Sequence, residues 1–147
     1  MKINNSMVTI FIGNFIIQYF FMTFIMVNNL SNFTWNISNI YLSVIVVMFT
    51  LLLQVIIHDG KYRVFSSNMY VFLISCLTIF IYLYRNQIAI TDKEYLKEMI
   101  QYNSMSVLVS EEILKKTDNY DVAKIAKNIV QTQEDQIKLI KKIIHKL

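Results

Sequence analysis

The side chains of this sequence that could do chemistry are few and far apart. Its two histidines, His58 and His145, lie in different halves of the chain, and its one cysteine, Cys76, sits inside an apolar run. A lone thiol forms no intramolecular disulfide and anchors no Cys-based metal site, so Cys76 reads as a small core hydrophobe. There is no Gly-rich phosphate loop and no nucleophile motif. Glu111 and Glu112 fall one helical turn from Lys115 and Lys116, and Glu134 and Asp135 lie one turn from Lys138 and two from Lys141; pairs of this kind belong to a solvated helix face. Met22, Met26, Met48, Met69, Met99 and Met105 carry thioethers that suit Cu(I), although Met in an apolar helix generally serves packing. No catalytic constellation emerges, and the chain is expected not to be an enzyme.

The elements that must position these residues divide sharply by charge. From Ile3 to Ile57 there is no Asp, Glu, Lys, Arg or His, and a second uncharged stretch runs from Val64 to Tyr84. Eleven of the fourteen Lys/Arg and nine of the ten Asp/Glu lie between Arg85 and Leu147. Charges are costly in hydrocarbon, so residues 1–84 read as membrane and residues 85–147 as a water-facing tail. A helix needs about 20 apolar residues to cross a bilayer. Three segments qualify, 7–27, 40–57 and 64–84, and 55% hydrophobic residues are more than a soluble domain of 147 residues could hide. Asn14 and Gln18 share one face of the first span, which suits an inter-helix hydrogen bond. Polar side chains on the other spans are too few for an ion pathway. The basic residues Lys2, Lys61 and Arg63 place the first terminus and the second loop in the cytoplasm. Three spans then put the tail on the outer or lumenal side. Asn29, Asn32 and Asn36 each begin a glycan acceptor pattern, usable if that loop is lumenal in a eukaryotic host.

The tail reads as two helices. Thr91 and Glu94 fit a capping box, and the helix that follows runs to about Lys116 with an apolar stripe of Leu96, Met99, Ile100, Val107, Leu108 and Leu114. Asp118-Asn119 makes a turn and caps a second helix from about Tyr120 to the end, with a stripe of Val122, Ile125, Ala126, Ile129, Ile137, Ile140 and Ile144. Two such helices joined by a short link make an antiparallel hairpin. One hairpin buries little, so a partner is expected: a second copy, another membrane protein, or the bilayer. Asn103 and Gln133 fall on the stripes and Gln136 borders one, where buried amides fix register. The tail carries a net charge of only +2, eleven basic less nine acidic, so nucleic acid is not expected as a partner.

The tail also resembles a known family. The run Arg85-Asn86-Gln87-Ile88-Ala89-Ile90-Thr91-Asp92, with Tyr95-Leu96-Lys97-Glu98-Met99-Ile100, resembles the stretch "RSQ-x-TV-x-D…FMKAMIPHH" of membrane members of domain-of-unknown-function family number 305. Ser104 to Glu111 looks like that family's "SIAILTSE", and Lys124 to Gln133 its "LA-x-x-II-x-AQ". The resemblance implies a ferritin-like helical bundle, and copper or other metal handling in some members. It would place metal ligands at a paired histidine, a Met, a Glu and a second Met. Here Tyr102 and Asn103 stand at the histidines, Val109 at the first Met, Gln136 at the Glu and Ile140 at the second Met. Tyr and Asn are weak ligands and Val and Ile are none. The expectation is therefore an all-α chain of three transmembrane helices and a C-terminal hairpin, a ferritin-like half-bundle that has lost its metal site. It would bind no cofactor and act by association, with Asn14, Gln18, Asn103, Gln133 and Gln136 as a polar interface. Two alternatives are copper handling at a rebuilt Met site and a small membrane-permeabilising or assembly protein.

Overall fold

The computed structural model describes residues 3–147, with side chains from Met7 onward, and is helical throughout with no strand among those residues. Helix α1 (Ile3–Ile16) continues through a π-helical segment, Ile17–Met22, into α2 (Thr23–Met26). A single 3₁₀ turn, Leu30–Asn32, follows. Then come α3 (Ile37–Tyr62), α4 (Ser67–Arg85), α5 (Asp92–Leu114) and α6 (Tyr120–Ile144).

Three stretches are long and apolar enough to cross a membrane: Met7–Met26, Ile37–Tyr62 and Ser67–Arg85. The second is longer than its uncharged run of 40–57, because helix propagation continues through His58 to Tyr62 once nucleated. The π-helical segment had no signal in the pattern of apolar residues, which is uniform through it.

The chain forms two compact units. The first gathers the residues up to Phe21 with Ile37–Ala89. Its core is Met7, Val44, Val47, Met48, Leu51, Val55 and Leu73, bordered by Ile10, Phe11, Phe15, Met69, Cys76 and Phe80. The valines of α3 recur at three-to-four spacing and so point one stripe at α1 and α4. The turn from α3 to α4 is tied by Asp59, which is buried near the end of α3. Its Oδ2 accepts from the Ser66 backbone N–H at 2.6 Å and its Oδ1 from the Ser66 hydroxyl at 2.9 Å, next to the first residue of α4. Tyr41 donates its hydroxyl to the Ile88 carbonyl at 2.9 Å, which holds the exit from α4.

The second unit gathers Met22–Asn36 with Ile90–Leu147. Here α5 and α6 pack along each other, joined by the five residues Lys115 to Asn119, and α2 and the 3₁₀ turn both pack on α5. Both helices begin at side-chain caps. Thr91 Oγ1 accepts from the Glu94 N–H at 3.3 Å, and Asn119 Oδ1 accepts from Asp121 and Val122 at 2.9 and 3.1 Å. Ile100, Val107, Ala126 and Ile137 are the buried apolar residues between them. Val122 and Ile125, expected on the inner stripe, are exposed instead, at 41% and 62%. They lie in the first turns of α6 and line an open groove with Leu108, Val109 and Ile113 of α5 rather than a closed seam.

Three non-glycine residues adopt left-handed backbone: Arg63 (φ 53°), Gln87 (φ 50°) and Ala89 (φ 60°). Arg63 follows the end of α3, where glycine usually stands. Gln87 and Ala89 bracket the short link from α4 to α5. A left-handed L-residue costs about 1–2 kcal/mol, and Ala89 has no polar side chain to compensate locally. Ala89→Gly is therefore expected to raise stability by about 1 kcal/mol and Ala89→Val to lower it. Thermal unfolding of the detergent-solubilised chain reads both.

Candidate functional site

The residues that meet most closely in the second unit are not an acid, a base and a nucleophile but a set of carboxamides. Residues 27–36 form no regular structure apart from one 3₁₀ turn, and backbone of that kind must find partners elsewhere. It finds them on α5. The Asn28 N–H donates to Ser104 Oγ at 2.9 Å, and the Ser104 hydroxyl donates back to Asn28 Oδ1 at 2.6 Å. Asn32 Nδ2 donates to the same Asn28 oxygen at 2.9 Å. Lys141, on α6, donates to Asn32 Oδ1 at 2.6 Å, so both helices grip one asparagine. One turn back on α5, Asn36 Nδ2 donates to Gln101 Oε1 at 2.8 Å, while Gln101 Nε2 donates to the Thr34 carbonyl. Thr34 Oγ1 donates in turn to the Lys97 carbonyl at 2.8 Å.

The clasp is dry. Ser104 has no accessible surface, Asn36 is 3% exposed, Asn32 6% and Gln101 7%. Ser104 is small enough to admit the loop backbone, and Gln101 is long enough to span Asn36 and the Thr34 carbonyl. Lys97, Gln101 and Ser104 recur at four and three residues, one face of α5. The loop shows a matching rhythm at Asn28, Asn32 and Asn36. Two of the three acceptor patterns of this loop begin inside the clasp: Asn32 and Asn36 are buried with their amide nitrogens donating to protein oxygens. Asn29 is exposed, and its Oδ1 caps the Ser31 N–H at 2.9 Å.

The positions where metal ligands would stand do not form a metal site. Tyr102 is half-buried and donates its hydroxyl to Glu98 Oε1 at 2.8 Å, within its own helix. Asn103 donates Nδ2 to Gln136 Oε1 at 3.2 Å across to α6. Two of the substituted positions therefore do meet, and they hold each other with neutral amides. Val109 is 60% exposed and lines an open apolar groove with Val122, Ile125 and Ile129, while Ile140 is half-buried on α6. An amide engaged in a hydrogen bond, a valine and an isoleucine do not fit a copper ion. Among the described residues, no three His, Cys, Asp or Glu side chains gather where they could hold a metal.

The remaining amides fall elsewhere. Gln133 is half-buried with its Oε1 buried and without a donor, and it joins neither the Asn103–Gln136 pair nor the clasp. Asn14 and Gln18 are half-exposed in the first apolar stretch, Gln18 within the π-helical segment. Of the six methionines singled out by sequence, Met48 and Met69 line one apolar cavity of about 510 Å³, and Met7 joins them there. The charged pairs lie at the surface. Glu112 accepts from Lys115 at 2.5 Å, which holds its carboxyl below the usual carboxylate range and raises the lysine, but both are about half-exposed or more. Such a pair contributes little.

Residues 82–144 match a family described as "Domain of unknown function (DUF305)". The match starts in the last turn of α4 and ends with α6, so it takes in α5, α6 and every tail residue of the clasp. The chain is also 23% identical over 142 residues, 96% of its own length and 93% of the other's, to "Uncharacterized protein L153" of Acanthamoeba polyphaga mimivirus. No solved structure matches.

Removing one partner from a dry network leaves a buried group unsatisfied, at about 1–3 kcal/mol. Ser104→Ala is therefore expected to destabilise the second unit by that amount and to accelerate amide exchange at Asn28. Asn103→Ala, which breaks a more exposed amide pair, is expected to cost about 1 kcal/mol or less. Equal effects of the two substitutions would show that the clasp adds nothing special.

Proposed function

We propose that the chain is a three-span membrane protein without enzymatic activity. In this reading the water-facing tail is an antiparallel two-helix hairpin clasped by the first inter-span loop, and the protein acts by association. The observation that carries the reading is the clasp. Loop 27–36 lies between the first and second apolar stretches, and α5 follows the third. Their side chains can bond only if loop and tail share one side of the bilayer, which requires an even number of spans between them. Spans Ile37–Tyr62 and Ser67–Arg85 are those two, and with Met7–Met26 they make three. The hairpin is supported by the five-residue link and by the Asn103–Gln136 bond, which pairs the middle of α5 with the second half of α6.

Association is supported by surfaces without a partner. Asn14 and Gln18 make no side-chain hydrogen bond among the described residues, and such amides in hydrocarbon favour a bond across helices. The groove lined by Val109, Val122 and Ile125 leaves apolar surface open on the tail. Both suit a second copy. As to side, Lys2, Lys61 and Arg63 favour a cytoplasmic second loop and an outer or lumenal tail, with Arg85 and Lys93 opposing.

Single cysteines in a Cys76→Ala background test the topology. Cysteines replacing Asn29 and Lys116 are expected to react with an impermeant thiol reagent from one side of sealed vesicles, and one replacing Lys61 from the other. Labelling of positions 29 and 116 from opposite sides would sink the reading.

A second reading, copper handling at thioethers, is favoured by one observation: Met7, Met48 and Met69 share a cavity. Thioethers suit Cu(I). Copper titration of the purified chain is expected to give no stoichiometric binding. One tight Cu(I) per chain, lost in Met48→Leu, would reverse the order of the two readings.

A further inference from the structure

The tail is electrically polarised along its length. Residues 90–97 and 135–147 together hold six Lys and three Asp/Glu; residues 98–134 hold four Lys and six Asp/Glu. Because Asn103 bonds Gln136, the two stretches lie at the same end of the α5/α6 pair. That end is net +3 and the remainder net −2. Favourable placement of lysines at a helix C-terminus explains Lys141 and Lys142 of α6, but it fades within one turn and does not account for Lys93, Lys97 or Lys138.

The basic end is also the end tied to the loop between the first two apolar stretches. Lys141 donates to Asn32, which lies six residues after Met26 and five before Ile37. At 3.3–3.6 Å per residue, Asn32 can be no more than about 20 Å from the nearer span end. The same loop presents Trp35, 51% exposed and edge-on to Phe33, the amphipathic aromatic type that collects at a membrane–water interface. On the outer side of α6, Leu139 and Ile143 are 58% and 39% exposed between the exposed Lys138, Lys142 and Lys146. Lys138 has a partner, Asp135 at 3.2 Å, but both are 68% exposed and the pair is weak.

We infer that the last turns of α6, with Lys138, Lys142 and Lys146 around Leu139 and Ile143, dock on anionic phospholipid headgroups of the bilayer that holds the chain. The lysines meet phosphate as point charges, and the two aliphatic side chains enter the headgroup boundary. The inference rests on the membrane reading above.

The test uses the full-length chain in nanodiscs of phosphatidylcholine, with and without phosphatidylglycerol, read by amide hydrogen exchange. Exchange over residues 138–147 is expected to slow by about tenfold in the anionic discs, the effect of one to two lysines near a charged surface. High salt should reverse the slowing. Lys142→Glu/Lys146→Glu, and the milder Lys142→Gln/Lys146→Gln, should abolish it, while exchange over residues 100–107 stays the same in both lipids. Exchange over residues 138–147 that ignores lipid charge overturns this inference alone and leaves the face to a second copy or another protein. A chain that never enters the discs overturns the membrane reading, and this inference with it.

Discussion

A buried peptide group needs a hydrogen-bond partner, and residues 27–36 are where that requirement is hardest to meet. The loop joins two apolar helices and has almost no regular structure of its own. Water would satisfy it at no cost if it were exposed, yet Asn32 and Asn36 are buried. The structure resolves the conflict by bringing the loop onto α5, where Ser104 and Gln101 supply donors and acceptors in the needed places. Much of the second unit follows from that. The residue at 104 must be small and hydroxylic, the one at 101 long and amidic, and Lys141 on α6 must reach inward rather than into water. In a low-dielectric setting a network of this type is strong when complete and expensive when broken, so it specifies one arrangement of loop and helices rather than a family of them.

What could be read in the sequence was whatever depends on one segment at a time. The absence of charge over 3–57 and 64–84 marks the apolar helices. Thr91 and Asn119 mark helix starts because their side chains act on their own next turn. Ile100, Val107, Ala126 and Ile137 are legible as inward-facing from their spacing. The clasp was not legible, because asparagines at 28, 32 and 36 are equally consistent with exposed polar loop residues, and nothing local says that α5 offers matching groups some 70 residues later. The left-handed turns at Arg63, Gln87 and Ala89 were hidden for a different reason: none is glycine, so the usual punctuation is missing and the neighbouring helices impose the conformation. The π-helical segment lies in a stretch so uniformly apolar that a change of helical period leaves no trace in it.

The substituted positions on the tail show how a two-helix scaffold can change its cross-link. A metal held between α5 and α6 would need deprotonated or lone-pair donors projecting from both helices. Here one of those crossings is an Asn103–Gln136 amide pair, and the stronger tie is one turn away, through Asn32 to Lys141 and Ser104. The loop 27–36 is thus a third stretch of chain laid across the two helices. Unlike a metal ion, a covalently attached loop cannot dissociate, and its effective concentration at α5 is fixed by the short distance back to α2 and α3.

Within the second unit, whatever displaces the loop disturbs the buried face of α5, because Asn28, Asn32 and Asn36 make their bonds there. One amide of the tail stands outside the clasp. Gln133 keeps a buried oxygen with no donor, a cost of about 1–3 kcal/mol that the present arrangement leaves standing.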